Sequence, residues 1–375
     1  MKAKFRSREI TFGEKERVQE VETDDEGRPI IEVEPDVENL YSKLCEIQAS
    51  DGLPVIPPTK ERVGRMLEHS TMDATEIIMK VPPYFYELTV EKLAINAVMA
   101  GCKPEYFPVI IAAFEAMKED KFNLQGIITT TAVPWPAIIV SGPYAQKIGM
   151  GSGYGCLGPG YRANATIGRA LTLTLITFAG CYPGFGTHST QAWAGRYTLC
   201  FAEELEDNPW KSFNAEKGFE NDTTVTVVAA KGSLSICHLR DDALGWLKVI
   251  CEALAIPGTQ TAYVPGVNCL VVSPVVAKRF LSDGNWTKEE IKKFVYENAR
   301  LPAKLLLDHG WASARYRAWP KGSNAYGAMV PFLRSSDDLI MVVAGSPTQN
   351  YCTVVYTWGG WSEAVTKPVD INGRK

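Results

Sequence analysis

A glycine-rich stretch that contains one cysteine has the residue types best suited to chemistry in this chain. Residues 152–169 place Cys156 among glycines, directly before an apolar segment of helical character at 164–181. Glycine leaves backbone N–H groups bare, because it has no Cβ and adopts positive φ freely. The N-terminal end of a helix attracts negative charge. We therefore expect a thiol, backbone amides and arginine side chains to meet at this loop.

The loop is predicted to bind a small anion rather than a nucleotide. It lacks both the Gly-Lys-Ser/Thr ending of a P-loop and the acidic residue of a dinucleotide fingerprint, so no cofactor is expected. Arg162 or Arg169 is expected to bind a substrate carboxylate through its planar guanidinium. Gly155, Gly158 and Asn164 are expected to line the same substrate site. The alternative is a tight turn and helix cap around a buried structural cysteine.

A loop histidine and a second cysteine complete the candidate catalytic set. His188 lies in a glycine-rich segment after the predicted helix, where a histidine can act as an acid or base near neutral pH. In this hypothesis Cys156 is a nucleophile whose thiolate is favoured by the helix N-terminus and Arg162. The loop amides would hold a developing oxyanion. Cys102 stands apart from the other cysteines because it follows a glycine-capped helix end.

Composition excludes several classes of protein. The 375 residues carry a net charge of −4 with scattered basic residues, so no nucleic-acid partner is expected. No apolar run approaches a membrane span, and none follows the basic N-terminus, so we expect no membrane association and a cytoplasmic location. The nine cysteines contain no CxxC pair, and the four histidines lack metal-ligand spacing. We therefore expect neither a disulfide framework nor a metal site.

Hydrophobic patterns divide the chain into three parts. Residues 1–35 are charged and predict an extended or weakly ordered lead-in. Residues 36–220 predict a helical hairpin and an α/β lobe that carries the Cys156 loop, and residues 221–375 predict a second α/β lobe. The expected fold is α/β, with mixed or mostly parallel sheets flanked by helices, as one elaborate domain or two lobes. No internal repeat is evident in the sequence.

Two apolar segments before the glycine loop are predicted as strands that are covered on both faces, residues 126–131 and 136–142. Thr129 and Thr130 would then lie at the carboxyl end of a strand. Ligands of open α/β sheets bind beyond such ends, so we expect both threonines to contact the substrate. Further strands are predicted at 223–230, 267–272, 339–344 and 353–357.

Four segments resemble a little-characterised family of bacterial proteins found with, or fused to, UGSC-motif proteins. They read DGLPVIPPT, EKLAINAVMAGCKPEYFPVIIAAFEAM, SGYGCLGPGYRANATIGRA and DGNWTKEEIKKFVYENAR. The UGSC partners carry selenocysteine or cysteine in a Gly-Ser-Cys context and are similar to the selenoprotein B component of glycine reductase. The resemblance covers the chain from about residue 40 onward and includes Cys156 and Cys102. This chain departs from the partner's pattern, because it contains no UGSC or CGSC segment.

Two functions are compatible with these features. The first is an enzyme of the lyase or oxidoreductase type that acts on a small anionic, carboxylate-bearing metabolite by thiol-assisted elimination, addition or carbon–heteroatom cleavage. The second is a non-catalytic companion or binding subunit of a UGSC-type thiol or selenol reductase complex. Aromatic clusters also suggest a surface through which copies of the chain form a homo-oligomer.

Overall fold

The computed structural model describes residues 2–4, 30–32, 36–308 and 327–371. Its helices are α1 (Val37–Glu46), α2 (Lys60–Leu67), α3 (Val90–Ala100), α4 (Phe107–Met117), α5 (Leu124–Thr129), α6 (Pro143–Lys147), α7 (Arg162–Ala179), α8 (Phe213–Glu216), α9 (Ala243–Leu254), α10 (Gln260–Tyr263), α11 (Pro274–Ser282), α12 (Lys288–Asn298) and α13 (Ala303–Asp308). Its strands are β1 (Lys2–Lys4), β2 (Ile30–Glu32), β3 (Ile77–Val81), β4 (Tyr86–Thr89), β5 (Trp135–Ser141), β6 (Cys200–Ala202), β7 (Thr224–Cys237), β8 (Asn268–Val272), β9 (Arg300–Pro302), β10 (Met329–Pro331), β11 (Leu339–Val343), β12 (Tyr351–Thr357) and β13 (Val365–Pro368).

A mixed sheet forms the centre of the protein, in the order β11-β8-β12-β7-β5-β6, with β13 paired to β7. β5 and β6 are parallel, as are β8 and β11, while the remaining pairs are antiparallel. Helices flank this sheet, which confirms the α/β prediction. β1–β2, β3–β4 and β9–β10 form separate antiparallel pairs.

The two halves of the sheet repeat one topology. In the first half β5 pairs parallel with β6 and antiparallel with β7, and in the second β8 pairs parallel with β11 and antiparallel with β12. A backbone hydrogen bond recurs at the same place: Glu203 N–H donates to Val140 O at 2.8 Å, and Ala344 N–H donates to Val272 O at 2.9 Å. This repeat is one of strand topology, and it is not evident in the sequence.

The sheet curls until its two edge strands approach each other. Just beyond β6, Glu204 N–H donates to the carbonyl oxygen of Val343 at the end of β11 (2.7 Å). β5 runs parallel to β6, and β8 runs parallel to β11. This contact therefore brings the carboxyl ends of these four strands to one place. We call this place the seam, and it is defined by Glu204 and Val343.

Alternate residues of the strands face different apolar clusters. In β5, Ile138 and Val140 pack into the cluster formed with α3, α4 and α7, and in β8 Leu270 packs into the cluster formed with α9, α11 and α12. The intervening residues, such as Ile139 and Val271, pack into a third cluster that both halves share. Strands covered on both faces explain the nearly continuous apolar runs of the sequence.

The segment at residues 126–131 is a helix end and not the predicted strand. α5 begins after Asn123, whose side chain accepts a hydrogen bond from Gly126 N–H at 3.1 Å. This cap satisfies a helix-end donor and outweighs the β preference of the isoleucines and threonines that follow. The hairpin of α3 and α4 and the strands β5, β7, β8, β11 and β12 agree with the sequence predictions.

Within the described residues, no helix has both the length and the apolar character needed to cross a membrane. Most of the predicted lead-in at residues 1–35 lies outside the described residues. Its described parts are the short paired strands β1 and β2.

Candidate functional site

The glycine loop that follows α6 lies at the seam. Ala202 N–H at the end of β6 donates to Gly151 O (3.3 Å), and Gly345 N–H beyond β11 donates to Ser152 O (2.7 Å). The loop therefore contacts the carboxyl ends of strands from both halves of the sheet, which is where ligands bind in sheets of this kind.

Asn164 holds the loop closed from the first turn of α7. Its Nδ2 donates to the carbonyl oxygens of Gly151 (2.9 Å) and Cys156 (3.1 Å), and its Oδ1 accepts from Gly151 N–H (2.9 Å). Because both ends of this buried amide are used within the protein, Asn164 shapes the site and leaves no group for a substrate. The predicted glycines remain open: Gly155 and Gly158 are exposed and form a turn around the cysteine, closed by a 2.8 Å backbone bond.

Cys156 is buried under this turn and belongs to the apolar cluster that both halves share. Burial raises the pKa of its thiol to about 11, and the charge of Glu204 raises it further, although the backbone amides of Cys156 and Leu157 act in the opposite direction. The side chain is therefore a protonated thiol at neutral pH. This corrects the expectation that the helix N-terminus and Arg162 favour a thiolate.

Glu204 is the acidic residue of the seam. Its Oε2 accepts from the hydroxyl of Ser152 (2.7 Å), and its Oε1 accepts from Glu206 N–H (3.0 Å). Tyr154 and Thr348 close the outer side of the loop through a 2.8 Å bond between their hydroxyls. The sequence expectations above do not include Glu204; its place two residues after β6, a strand of a parallel pair, is the signal that could have identified it.

Arg169 and Arg162, the two arginines predicted to bind a carboxylate, differ in which guanidinium nitrogens already have a partner in the protein. Arg169 donates from Nε and Nη2 to Asp51 (2.7 and 2.9 Å), and Nη2 also contacts the carbonyl oxygens of Leu53 (3.1 Å) and Pro54 (2.9 Å). These bonds fix the proline-rich segment at residues 51–59 (DGLPVIPPT) against α7; we call them the Arg169 clamp. Arg162 donates from Nε and Nη2 to Gly101 O, at 3.0 and 2.9 Å. Arg162 is an exposed residue, and its Nη1 makes no hydrogen bond to the part of the chain that the structure describes.

Cys102 packs against the same helix turn. Its Sγ lies 3.2 Å from the carbonyl oxygen of Thr166, and burial raises its pKa to about 12. This thiol is a hydrogen-bond donor to the helix backbone.

His188 and the two predicted threonines, Thr129 and Thr130, lie near the C-terminal end of α7, whereas Cys156 lies near its N-terminal end. α7 has 18 residues and is about 27 Å long, with Cys156 before its first turn and His188 after its last. His188 is exposed, and the N–H of Thr190, two residues further on, donates to Thr131 O (2.9 Å), so this loop adjoins the threonine segment. Thr129 and Thr130 precede the amino end of β5. The expectation that they lie at the carboxyl end of a strand is therefore wrong.

A second set of buried polar groups lies beside the seam. Ser141, the last residue of β5, is in hydrogen-bond contact with Glu203, the first residue after β6. Asn214 of α8 places its Oδ1 2.9 Å from the Ser141 hydroxyl oxygen and donates its backbone N–H to that oxygen (2.9 Å). Phe213 N–H donates to Glu203 Oε2 at 2.7 Å. All of these side chains are at most 2 % exposed.

The proton count of this set requires a neutral carboxyl group. The Ser141 hydroxyl has one proton but faces two acceptor oxygens, from Glu203 and Asn214. The Asn214 amide cannot turn round, because its Nδ2 donates to two carbonyl oxygens of the next loop (2.9 and 2.8 Å). Every group has a partner only when Glu203 donates to Ser141 and Ser141 donates to Asn214. Burial raises the pKa of Glu203 in accord with this count, although Lys288, 4.0 Å away, opposes the rise.

Neither protein-family models nor curated proteins match this sequence. The resemblance to the UGSC-associated family therefore stays a prediction from the motifs. Within the described residues, no three or more His, Cys, Asp and Glu side chains are grouped so that they could hold a metal ion.

Proposed function

We propose that the chain is an enzyme that acts on a small carboxylate-bearing metabolite at the seam, by thiol-assisted elimination, addition or cleavage of a carbon–heteroatom bond. The observation that carries this proposal is the combination of the Cys156 thiol and the Glu204 carboxylate under a glycine loop. A proton donor and a proton acceptor beside bare amides are the groups that such reactions need.

The ionisation of the thiol decides its role. Because its pKa is raised to about 11, Cys156 serves as a proton donor and not as a resting nucleophile. In an elimination, Glu204 takes the proton from carbon, the carbon–hydrogen electron pair forms the double bond, and the leaving heteroatom takes the thiol proton. The proton on Glu204 then returns to the strongly basic thiolate, which restores both groups.

Arg162 supplies the substrate's counter-charge in this proposal. Two of its nitrogens are fixed on Gly101 O, which orients the guanidinium at the first turn of α7. Its remaining Nη1 is available to a substrate carboxylate, whereas Arg169 is occupied by Asp51. In this proposal the exposed glycines Gly155 and Gly158, which form the turn over Cys156, lie against the substrate.

The companion-subunit function is the second candidate, and the burial of Cys156 favours it. A thiol that is 3 % exposed and protonated suits a binding protein whose redox chemistry takes place on a UGSC-type partner. The two candidates differ in whether the chain alone consumes a substrate.

A depletion assay separates them. The purified chain is incubated with a pool of small carboxylic acids, and the pool is followed by mass spectrometry. We expect at least one acid to be consumed, and we expect C156A and E204Q to abolish its consumption while C237S, which changes an exposed cysteine outside the seam, retains it. No depletion by the wild type, or equal depletion by C156A, would refute the enzyme proposal.

Self-association and a cytoplasmic location are part of the same proposal. Leu239, 94 % exposed, follows β7, and Tyr351, 51 % exposed, is paired with the end of that strand. Such an apolar surface suits contact between copies of the chain. All nine cysteines are unpaired, which suits a reducing compartment. Light scattering on the wild type and L239D tests the oligomer, and a monomeric wild type would contradict it.

A further inference from the structure

A cavity of about 200 Å³ lies away from the Cys156 loop, beside the amino ends of β8 and β11. Its apolar wall consists of Phe213, Val267 and Ile340, which belong to the cluster shared by both halves of the sheet. Ile340 is about 16 Å from Gly345 along the strand direction, at about 3.3 Å per residue. The cavity is therefore separate from the seam.

The rim of this cavity carries positive groups with free donors. Lys217 extends over the Phe213 ring, with its Nζ 5.2 Å from the ring centroid, and forms no ion pair with any residue that the structure describes. Arg334 is held by Asp338 through Nε (2.9 Å) and Nη2 (2.7 Å). Its Nη1 has no hydrogen-bond partner within the described ranges, so two cationic donors are available to a ligand.

Besides Asp338, which pairs with Arg334, the lining of the cavity carries two further carboxylates. Asp337 and Glu363 both line the cavity and are exposed, and neither forms an ion pair with the described part of the chain. The hydrogen bond to Asp338 is the main cause that raises the pKa of Arg334, and the charge of Glu363 adds a smaller rise, so Glu363 lies near Arg334. Unpaired charges of both signs around an apolar wall leave recognition groups for a ligand that also carries both signs.

The size of the cavity limits the ligand. A volume of about 200 Å³ lies below the range of about 300–1,000 Å³ that is usual for the pockets of drug-sized ligands. An ammonium group and a carboxylate on a short aliphatic body meet this limit. A dianion has no positive group to offset repulsion by Asp337 and Glu363. A simple amine has no anionic group to bind Lys217 and Arg334 Nη1.

We propose that this cavity binds a small zwitterion of the amino acid class. Its carboxylate lies at Lys217 and Arg334, its ammonium group at Asp337 and Glu363, and its aliphatic side chain against Phe213. The site goes beyond the proposed function, because it shares no residue with the seam.

Isothermal titration calorimetry of the full chain with three matched probes tests this site. L-Valine carries both charges, isobutylamine lacks the carboxylate, and isovalerate lacks the ammonium group. We expect L-valine to bind with a Kd of about 1 mM or below, and both singly charged probes at least about tenfold more weakly, since each loses one charge-assisted contact. Equal binding of the three probes, or no binding of L-valine at 10 mM, which is about tenfold above the expected Kd, would overturn the proposal.

Variants assign the binding to the rim. K217A and D337N change exposed side chains and are each expected to weaken L-valine binding by about fivefold or more. K211A, which alters an exposed lysine before α8 that pairs with Glu220, is the matched control and leaves the Kd unchanged. C156A also leaves it unchanged, so failure of the seam proposal and failure of this one are distinguishable. Unaltered binding in both K217A and D337N would place the ligand elsewhere and overturn the assignment.

Discussion

Replacing Glu203 by glutamine tests the proton count of the buried polar set. The wild-type carboxyl is neutral in the folded protein because Ser141 and Asn214 together need its proton. In the unfolded chain the same carboxyl ionises at its ordinary pKa of 4.5. Glutamine at position 203 cannot ionise in either state. The two proteins therefore differ in how their stability depends on pH.

The sign and size of this difference follow from linkage. Because the folded-state pKa of Glu203 is raised, its contribution to stability is fully present below pH 4.5 and is lost as the pH rises through the folded pKa. Between these two pKa values, the wild type loses about 1.4 kcal/mol of unfolding free energy per pH unit relative to E203Q. Above the folded-state pKa of Glu203, the difference in unfolding free energy between the wild type and E203Q no longer changes with pH. The other titrating groups do not contribute to this difference, because both proteins contain them.

Urea unfolding at half-unit steps from pH 4.5 to 8 measures this difference. E203Q is expected to be less stable than the wild type at pH 4.5, because an amide group at position 203 cannot satisfy both Ser141 and Phe213 N–H. The gap then narrows as the pH rises. Parallel curves for the two proteins over the whole range would refute the neutral carboxyl of Glu203.

Three further predictions use contacts outside this set. R169A removes the buried partner of Asp51 and should lower the unfolding free energy by about 3–5 kcal/mol in urea; a loss under about 1 kcal/mol would contradict the clamp. T287A removes the capping box of α12 and should cost about 1 kcal/mol, whereas an unchanged midpoint would contradict the cap. Iodoacetamide at pH 7.5 should alkylate exposed Cys237 well before Cys156, and labelling at Cys156 should rise about tenfold per pH unit toward pH 11; faster labelling at Cys156 would contradict a raised pKa.

The sequence predicts those elements whose pattern is local. β5 and α7 are long apolar segments, and each agrees with its prediction to within a few residues. The segment after Asn123 is mispredicted because isoleucine and threonine favour strands, while the capping geometry that starts α5 depends on one asparagine with a φ of 55°. The repeat is hidden because the halves share strand pairing and not side chains: Glu203 occupies the place that Ala344 occupies in the second half.

The candidate site is predicted in part. The glycine loop can be recognised from composition, since bare amides beside a cysteine need no tertiary information. The partner of Arg169 cannot be recognised from the sequence, because Asp51 is 118 residues away. The separation of His188 from Cys156 follows only from the unbroken length of α7. Glu204 acquires its role from the curl of the sheet, which brings β6 to β11.

A crystal structure of the chain soaked with a simple dicarboxylate such as malonate tests the seam most directly, because this probe lacks the ammonium group that the Phe213 cavity requires. We predict density for one carboxylate at Arg162 Nη1, with the ligand against the turn of Gly155 and Gly158 that covers Cys156. A bound dicarboxylate at another place, with the Cys156 loop empty, would contradict the assignment of the seam as the functional site.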